Sequence, residues 1–368
     1  MAQAPTPIDS QAAVRAAAAG GPRVIFLDYL RIFAFVTVLV GHKLHAPLHA
    51  AMADPASPWH WPARALWPWV QGGGVGVLVF FLVSGYVITQ VLQREGTAEF
   101  LVKRVFRIYP LYITAVLAEA AGLWLMGRPT PGSVLLPQLL LVGDWTGTPY
   151  ALAGVEWTLR LEVSFYVLMA ALHGAGLVRW RQGAALPWIY AALVGGLYAL
   201  GPFPTHQAWS MGYGTLYFPL LLLGSAVFLR ERRVVGWATL VLLGVYVFAL
   251  HYHGLRQWQA RWLGAHFPDL AVGLFMLLWA VRRWLPAHPW VLWWSGLTYA
   301  VYLFHNWLVD WLRDALVRAG IGGGLALALA LVVLVALCAG FVRWVEQPAI
   351  GAGRQFARRV IYGRAGAR

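Results

Sequence analysis

Arg31 and His42 stand eleven residues apart within FLDYLRIFAFVTVLVGHKLH (26–45), an apolar stretch long enough to cross a membrane. In an α-helix eleven steps rise about 16 Å and end roughly 20° past three full turns, so both side chains share one face at two depths. A guanidinium or an imidazole in hydrocarbon is costly unless it meets protein, water or a ligand. Two of them on one face suggest chemistry. An imidazole can move a proton near neutral pH, and a guanidinium binds carboxylate or phosphate in bidentate fashion. The competing structural reading has Arg31 snorkelling to the headgroups and His42 capping the helix end.

Other segments add ionisable groups in apolar surroundings. In EWTLRLEVSFY (156–166), Glu156 and Arg160 stand at i, i+4 and suit an ion pair, whereas Glu162 lies on another face and needs a partner from a different helix. His42 would serve, because a carboxylate fixes the imidazole tautomer and stabilises the imidazolium formed in general-base catalysis. YAVYLFHNW (299–307) carries Tyr299, Tyr302, His305 and Asn306, with His305 either ending its helix or touching substrate. Lys43, beside His42, joins Asn306 among the candidate substrate contacts. KRVFRIYP (103–110) sets Arg104 and Arg107 three apart, which suits either phosphate binding or a basic anchor on lipid headgroups. QGGGVGVLVFFLVSGYVITQ (71–90) brings Ser84 and Gly85 to mid-helix, where small residues serve close packing or line a passage.

Several chemistries lack support. His42, His45 and His49 have helical spacing, but Pro47 interrupts the turn and no carboxylate accompanies them, so no metal site is expected. The single cysteine, Cys338, lies among Leu and Val, where a thiol is inert. No Walker, Rossmann, Gly-x-Ser-x-Gly or HExxH pattern occurs, which leaves a serine-hydrolase mechanism unsupported.

The elements that must position these groups are membrane helices. Of 368 residues 60% are hydrophobic and only 11% charged, a balance foreign to soluble domains. The 21 tryptophans suit the interfacial belts of an all-α polytopic protein better than a β-barrel. Apolar runs at about 24–44, 73–92, 106–126, 157–177, 184–201, 213–229, 234–252, 267–281, 290–309 and 323–343 predict about ten transmembrane helices in one domain, 23–350. SVLLPQLLLVGDW (133–145) is too short to cross and holds Pro137, so it reads as interfacial or re-entrant. The Pro- and Trp-rich stretch 46–71 suits the outer headgroup layer. Residues 1–22 read as a disordered cytoplasmic tail and 351–368 as a basic cytoplasmic tail.

The net charge of +14 falls mainly in short loops, so it reports topology in a lipid bilayer and not nucleic-acid binding. Placing the N terminus in the cytoplasm puts nineteen Lys and Arg inside and seven outside, and makes both termini cytoplasmic. In that orientation His42, Glu162 and His305 reach the outer third together. Arg31, Arg104 and Arg107 lie toward the inner side.

With these residues placed, nearly the whole chain resembles the acyltransferase family 3 membrane proteins, bacterial enzymes that acylate sugars of surface glycans. Arg31 and His42 fit that family's Arg-x10-His element, FFLVSGY (80–86) its Phe-Phe-x-x-Ser-Gly-aromatic element, and Arg104 with Arg107 its Arg-x-x-Arg. Trp157, Leu159, Glu162, Phe165 and Tyr166 match a Trp-Ser-Leu-x-x-Glu-x-x-Phe-Tyr element; YAVYLFH (299–305) matches Tyr-x-x-Tyr-Leu-x-His, and Glu346 with Pro348 the closing Glu-x-Pro. Thr158 and Arg160 replace the usual serines, and the common Asp-Gly-Leu-Arg entry reads Asp28-Tyr29-Leu30-Arg31.

The resemblance implies an acyl-CoA donor, by default acetyl-CoA, entering from the cytoplasm of a bacterial inner membrane, with no permanently bound cofactor. The acceptor would be a hydroxyl of an exported or lipid-linked glycan, in association with polysaccharide synthesis or export machinery. The expected mechanism places CoA phosphates on Arg31, Arg104 and Arg107 and the thioester below His42. His42 acts as general base supported by Glu162, with Ser84, Tyr299 or Tyr302 at the oxyanion. An acyl-His relay is the variant. Two other classes would use the same polar column: a transporter or flippase for a glycan or anionic solute, and a scaffold whose intramembrane charges pair with partner helices.

Overall fold

Lipid offers the backbone of an apolar run no hydrogen-bond partners, so its N–H and C=O groups must satisfy one another, and each run becomes a helix. The computed structural model describes residues 23–178 and 183–362, which form helices and loops without strands. The expected tail 1–22, Arg179 and Arg181, and the end of the basic tail, 363–368, lie outside the described residues.

The first part of the chain forms α1 (Ile25–Lys43), α2 (His45–Ala53), α3 (His60–Val70) and α4 (Gly74–Val91). The long α5 (Thr97–Leu125) leads through two short helices, α6 (Gly132–Leu139) and α7 (Gly143–Thr146), to α8 (Trp157–Gly174) and α9 (Leu186–Ala199). Then follow α10 (Tyr213–Glu231), α11 (Trp237–Trp258), α12 (Phe267–Ala280), α13 (Pro289–Phe304), α14 (Trp307–Arg318), α15 (Gly323–Phe341) and α16 (Gln347–Ala357). Every one of the ten apolar runs thus holds a helix. Seven stretches are long and apolar enough to cross a membrane, those built on α1, α3–α4, α5, α10, α11, α12 and α15; α8, α9 and α13 are not among them.

Two departures from the sequence reading matter for the site. The run 290–309 is interrupted at the turn His305–Asn306, and α14 beyond it is charged through Asp310, Arg313, Asp314 and Arg318. His305 and Asn306 sit at the bend. Residues 351–357, read as tail, continue α16, whose Phe356 packs on Phe106 of α5 with ring centroids 6.0 Å apart.

At the centre α4 packs against α10 and α1, and α10 is almost wholly buried. The α4–α10 contact is reciprocal: a Cβ at Gly85 would overlap the Leu221 carbonyl oxygen, and one at Gly224 the Leu82 carbonyl oxygen. Without side chains there, the backbones approach closely and the Thr89 hydroxyl reaches Ser225 Oγ at 2.6 Å. Gly224→Ala is expected to lower stability by about 3 kcal/mol, the upper range for an overpacked core, because rigid backbone cannot yield as a side chain does. A thermal melt in detergent unchanged from the parent protein would contradict this packing.

Candidate active site

Two cavities meet at the middle of α1, α4, α8 and α13. The first, about 150 Å³, is lined by Arg31, Ser84, Arg104, Arg107, Glu162, Tyr166, Tyr299 and Tyr302. Three guanidiniums and one carboxylate line it, and two of the guanidiniums have carboxylate partners behind the wall. Arg31 is steered by the fully buried Asp28, which accepts from it at 3.2 Å, from Arg23 at 2.8 Å and from the Ser295 hydroxyl at 2.6 Å. Arg107 pairs with the buried Glu346 at 3.1 Å. Arg104 differs: it lies over the Phe100 and Tyr166 rings, and its buried Nε has no hydrogen-bond partner. An unsatisfied buried donor is costly, and an anion entering this cavity would relieve it.

Glu162 belongs to this first cavity, not beside His42. Its Oε1 accepts from Ser84 Oγ at 2.8 Å and from the Tyr166 hydroxyl at 2.5 Å. It lies well into α8 while His42 ends α1, so the shared level expected from topology does not become a contact. Tyr299 lines the same cavity and donates to the Ile108 carbonyl at 2.8 Å.

The second cavity, about 350 Å³, holds His42 with Asn306, Trp157, Trp209, Tyr213, Arg261 and Trp262. Val77 and Tyr302 line both cavities and form the wall between them. The partner of His42 is His305: Nδ1 of the first stands 3.0 Å from Nε2 of the second. His305 is 1% exposed, and its Nδ1 lies 2.8 Å from the Tyr302 carbonyl oxygen. A carbonyl only accepts, so the His305 proton sits on Nδ1 and its Nε2 offers a lone pair. His42 Nδ1 faces that lone pair and its Nε2 lies toward Gly72 and Gly73, so a proton on this imidazole can be shared along the His42–His305–carbonyl chain.

The turn between α3 and α4 borders His42 Nε2. Gly72 and Gly73 adopt left-handed φ of 58° and 70°, and a Cβ at Gly73 would stand 3.5 Å from His42 Nε2. On the opposite wall Leu152, Ala153 and Gly154 run through three consecutive positive φ values of 58°, 49° and 92°. The Glu119 carboxylate of α5 clamps this strained turn, accepting from the N–H groups of Leu152 at 2.5 Å and Ala153 at 2.9 Å. Asn306 Nδ2 donates to the Ala153 carbonyl at 2.7 Å.

A profile of the acyltransferase domain matches residues 24–343, a span that contains both cavities. The chain belongs to acyltransferase family 3. It is 32% identical over 233 residues to the acyltransferase MdmB of Streptomyces mycarofaciens, covering 61% of this chain and 58% of that protein. Identity to nodulation protein 10 of Rhizobium leguminosarum bv. viciae is 26% over 367 residues, 88% of this chain and 92% of the relative. With exopolysaccharide production protein ExoZ of Rhizobium meliloti it is 25% over 312 residues, 80% and 94% respectively. No solved structure matches the chain.

Several sequence-selected residues of this acyltransferase do other work. Lys43 lines neither cavity; its three N–H donors go to the Asn306 carbonyl at 2.8 Å, Asn306 Oδ1 at 2.9 Å and Asp310 at 2.9 Å, so it fixes the α13–α14 bend. Arg160 pairs with Glu156 at 2.9 Å and Asp144 at 2.8 Å and stacks on Tyr150, which makes it a brace for the loops before α8. His206 stands 3.9 Å from Asp144, and burial pushes its imidazole below the ordinary value, so Arg160 is the true partner of that carboxylate. His45 and His49 both lie against Trp67, away from His42. Sequence reasoning missed Glu119, whose only signal was a carboxylate inside an apolar helix. It also missed the aromatic wall, whose members Trp209 and Trp262 come from a turn and from the short 3₁₀ helix Ala260–Ala265.

Proposed function

We propose that this acyltransferase moves an acyl group, acetyl by default, from cytoplasmic acyl-CoA to a hydroxyl of an exported or lipid-linked glycan across a bacterial inner membrane. The observation that carries the reading is the pairing of an arginine-lined cavity with a second one that holds His42, itself hydrogen-bonded to His305, the two separated by Tyr302 and Val77. A relative named for exopolysaccharide production supports a glycan acceptor. The basic loops support cytoplasmic termini, ten crossings and an arginine cavity open to the cytoplasm.

In this reading Arg104, Arg107 and Arg31 hold the CoA phosphates, and the thioester arm passes toward Tyr302. His42 Nε2 takes the proton of the acceptor hydroxyl, and the oxygen attacks the thioester carbonyl. The C–S bond breaks, and the imidazolium returns the proton to the leaving thiolate. His305 positions His42, and the Tyr302 hydroxyl, 2.7 Å from Thr158 Oγ1 and 3.2 Å from the Val155 carbonyl oxygen, braces the wall between the two cavities. Glu162 orders Ser84 and Tyr166 on the donor side.

Protein in lipid nanodiscs, given labelled acetyl-CoA and an oligosaccharide acceptor, should release free CoA and carry the label onto a sugar hydroxyl. Intact acetyl-CoA after incubation with the native glycan would favour transport or scaffolding instead. Glu119→Gln should act on one substrate only. The amide cannot accept both backbone N–H groups, so the strained turn beside His42 loosens at a cost of about 1–3 kcal/mol. The acceptor KM should rise several-fold with the acetyl-CoA KM unchanged, whereas equal rises in both would remove the turn from the acceptor side.

A further inference from the structure

We infer that the histidine cavity selects an anionic acceptor, a saccharide bearing a carboxylate or phosphate, and that Arg261 reads that charge. This rests on the glycan-acceptor reading and narrows it. Trp157, Trp209, Tyr213 and Trp262 line the cavity, and no Asp or Glu does among its described lining residues. The rings brace one another, with Trp157 4.8 Å and Trp209 5.8 Å from Tyr213 between centroids, so the platform is preformed. The C–H face of a pyranose packs on the negative face of such rings.

Arg261 is the one lining side chain of fixed charge. It is held rather than loose: Nη2 donates to the Trp209 carbonyl at 2.7 Å, and Cζ lies 5.3 Å over the Trp262 ring. A guanidinium has five N–H donors, so the bonds to the Trp209 carbonyl and the Tyr213 hydroxyl leave donors for a carboxylate or phosphate. A lipid headgroup phosphate offers the same anion, and Arg261 is exposed. The aromatic wall decides for a saccharide, since a headgroup phosphate brings no ring to stack.

The test uses full-length His42→Ala protein, in which bound acceptor is not consumed, in phosphatidylcholine nanodiscs. Calorimetric titration compares two trisaccharides that differ only in a terminal glucuronate or glucose. The glucuronate sugar should bind about tenfold or more tightly, the lower end for one charge-assisted bond, and the margin should shrink with salt. Adding Arg261→Gln should bring it to the level of the glucose sugar, while Arg261→Lys keeps part of the margin; thermal melts check that each variant is folded. Equal binding by the parent, or a margin that survives Arg261→Gln, overturns the inference. So does a margin lost when phosphatidylglycerol is added, which would assign Arg261 to headgroups. Acetyl transfer by protein with His42 intact separates the two readings. Equal acetylation and equal binding of both sugars would leave the glycan reading standing and sink this one. Preferential binding of glucuronate without acetylation of either would do the reverse.

Discussion

His42→Ala is expected to lower acetyl transfer about 10³-fold, the middle of the range for losing a general base and close to 4 kcal/mol of transition-state stabilisation. The protein should stay folded, because His42 is exposed to its cavity and the buried member of the pair is His305. The KM for acetyl-CoA should barely move, since the groups proposed to bind the donor line the other cavity. His305→Ala should cost less, because it frees the tautomer of His42 without removing the base. Initial rates with a defined oligosaccharide check both variants. A His42→Ala enzyme within tenfold of the parent would refute its role.

Arg104→Gln is the second large effect. Among the guanidiniums of its cavity, Arg31 is engaged by Asp28 and Arg107 by Glu346, whereas Arg104 Nε is buried without a partner. A charged hydrogen bond to phosphate contributes about 1.5–3 kcal/mol, so the acetyl-CoA KM should rise roughly 10–100-fold. Acetyl-pantetheine, which lacks the nucleotide phosphates, should be used equally well by parent and variant. Equal loss with both donors would make Arg104 a structural residue.

The helices were legible because long apolar runs must satisfy their own backbone groups, and each of the ten runs holds one, seven of them in stretches long and apolar enough to cross a membrane. Face arithmetic also held within single helices: Arg104 and Arg107 line one cavity as their spacing suggests. It failed between helices. Spacing gives the direction of Glu162 on α8 but not which neighbour that face meets, and the neighbours are Ser84 and Tyr166. For His305 the sequence left open a helix-end role or substrate contact; it does end α13, and its contact with His42 arises because α13 packs on α1. Arg261 and Trp262 lie in a short 3₁₀ turn, Ala260–Ala265, too brief to show periodicity, so their place in the cavity wall was invisible until the chain was folded.

Transfer across the bilayer is the most direct test. Sealed proteoliposomes are loaded with labelled acetyl-CoA, and a membrane-impermeant oligosaccharide is supplied outside. The two-cavity arrangement predicts label on the external sugar, carried by parent protein and lost with His42→Ala. Label appearing on sugar only when acceptor and acetyl-CoA share one compartment would contradict it.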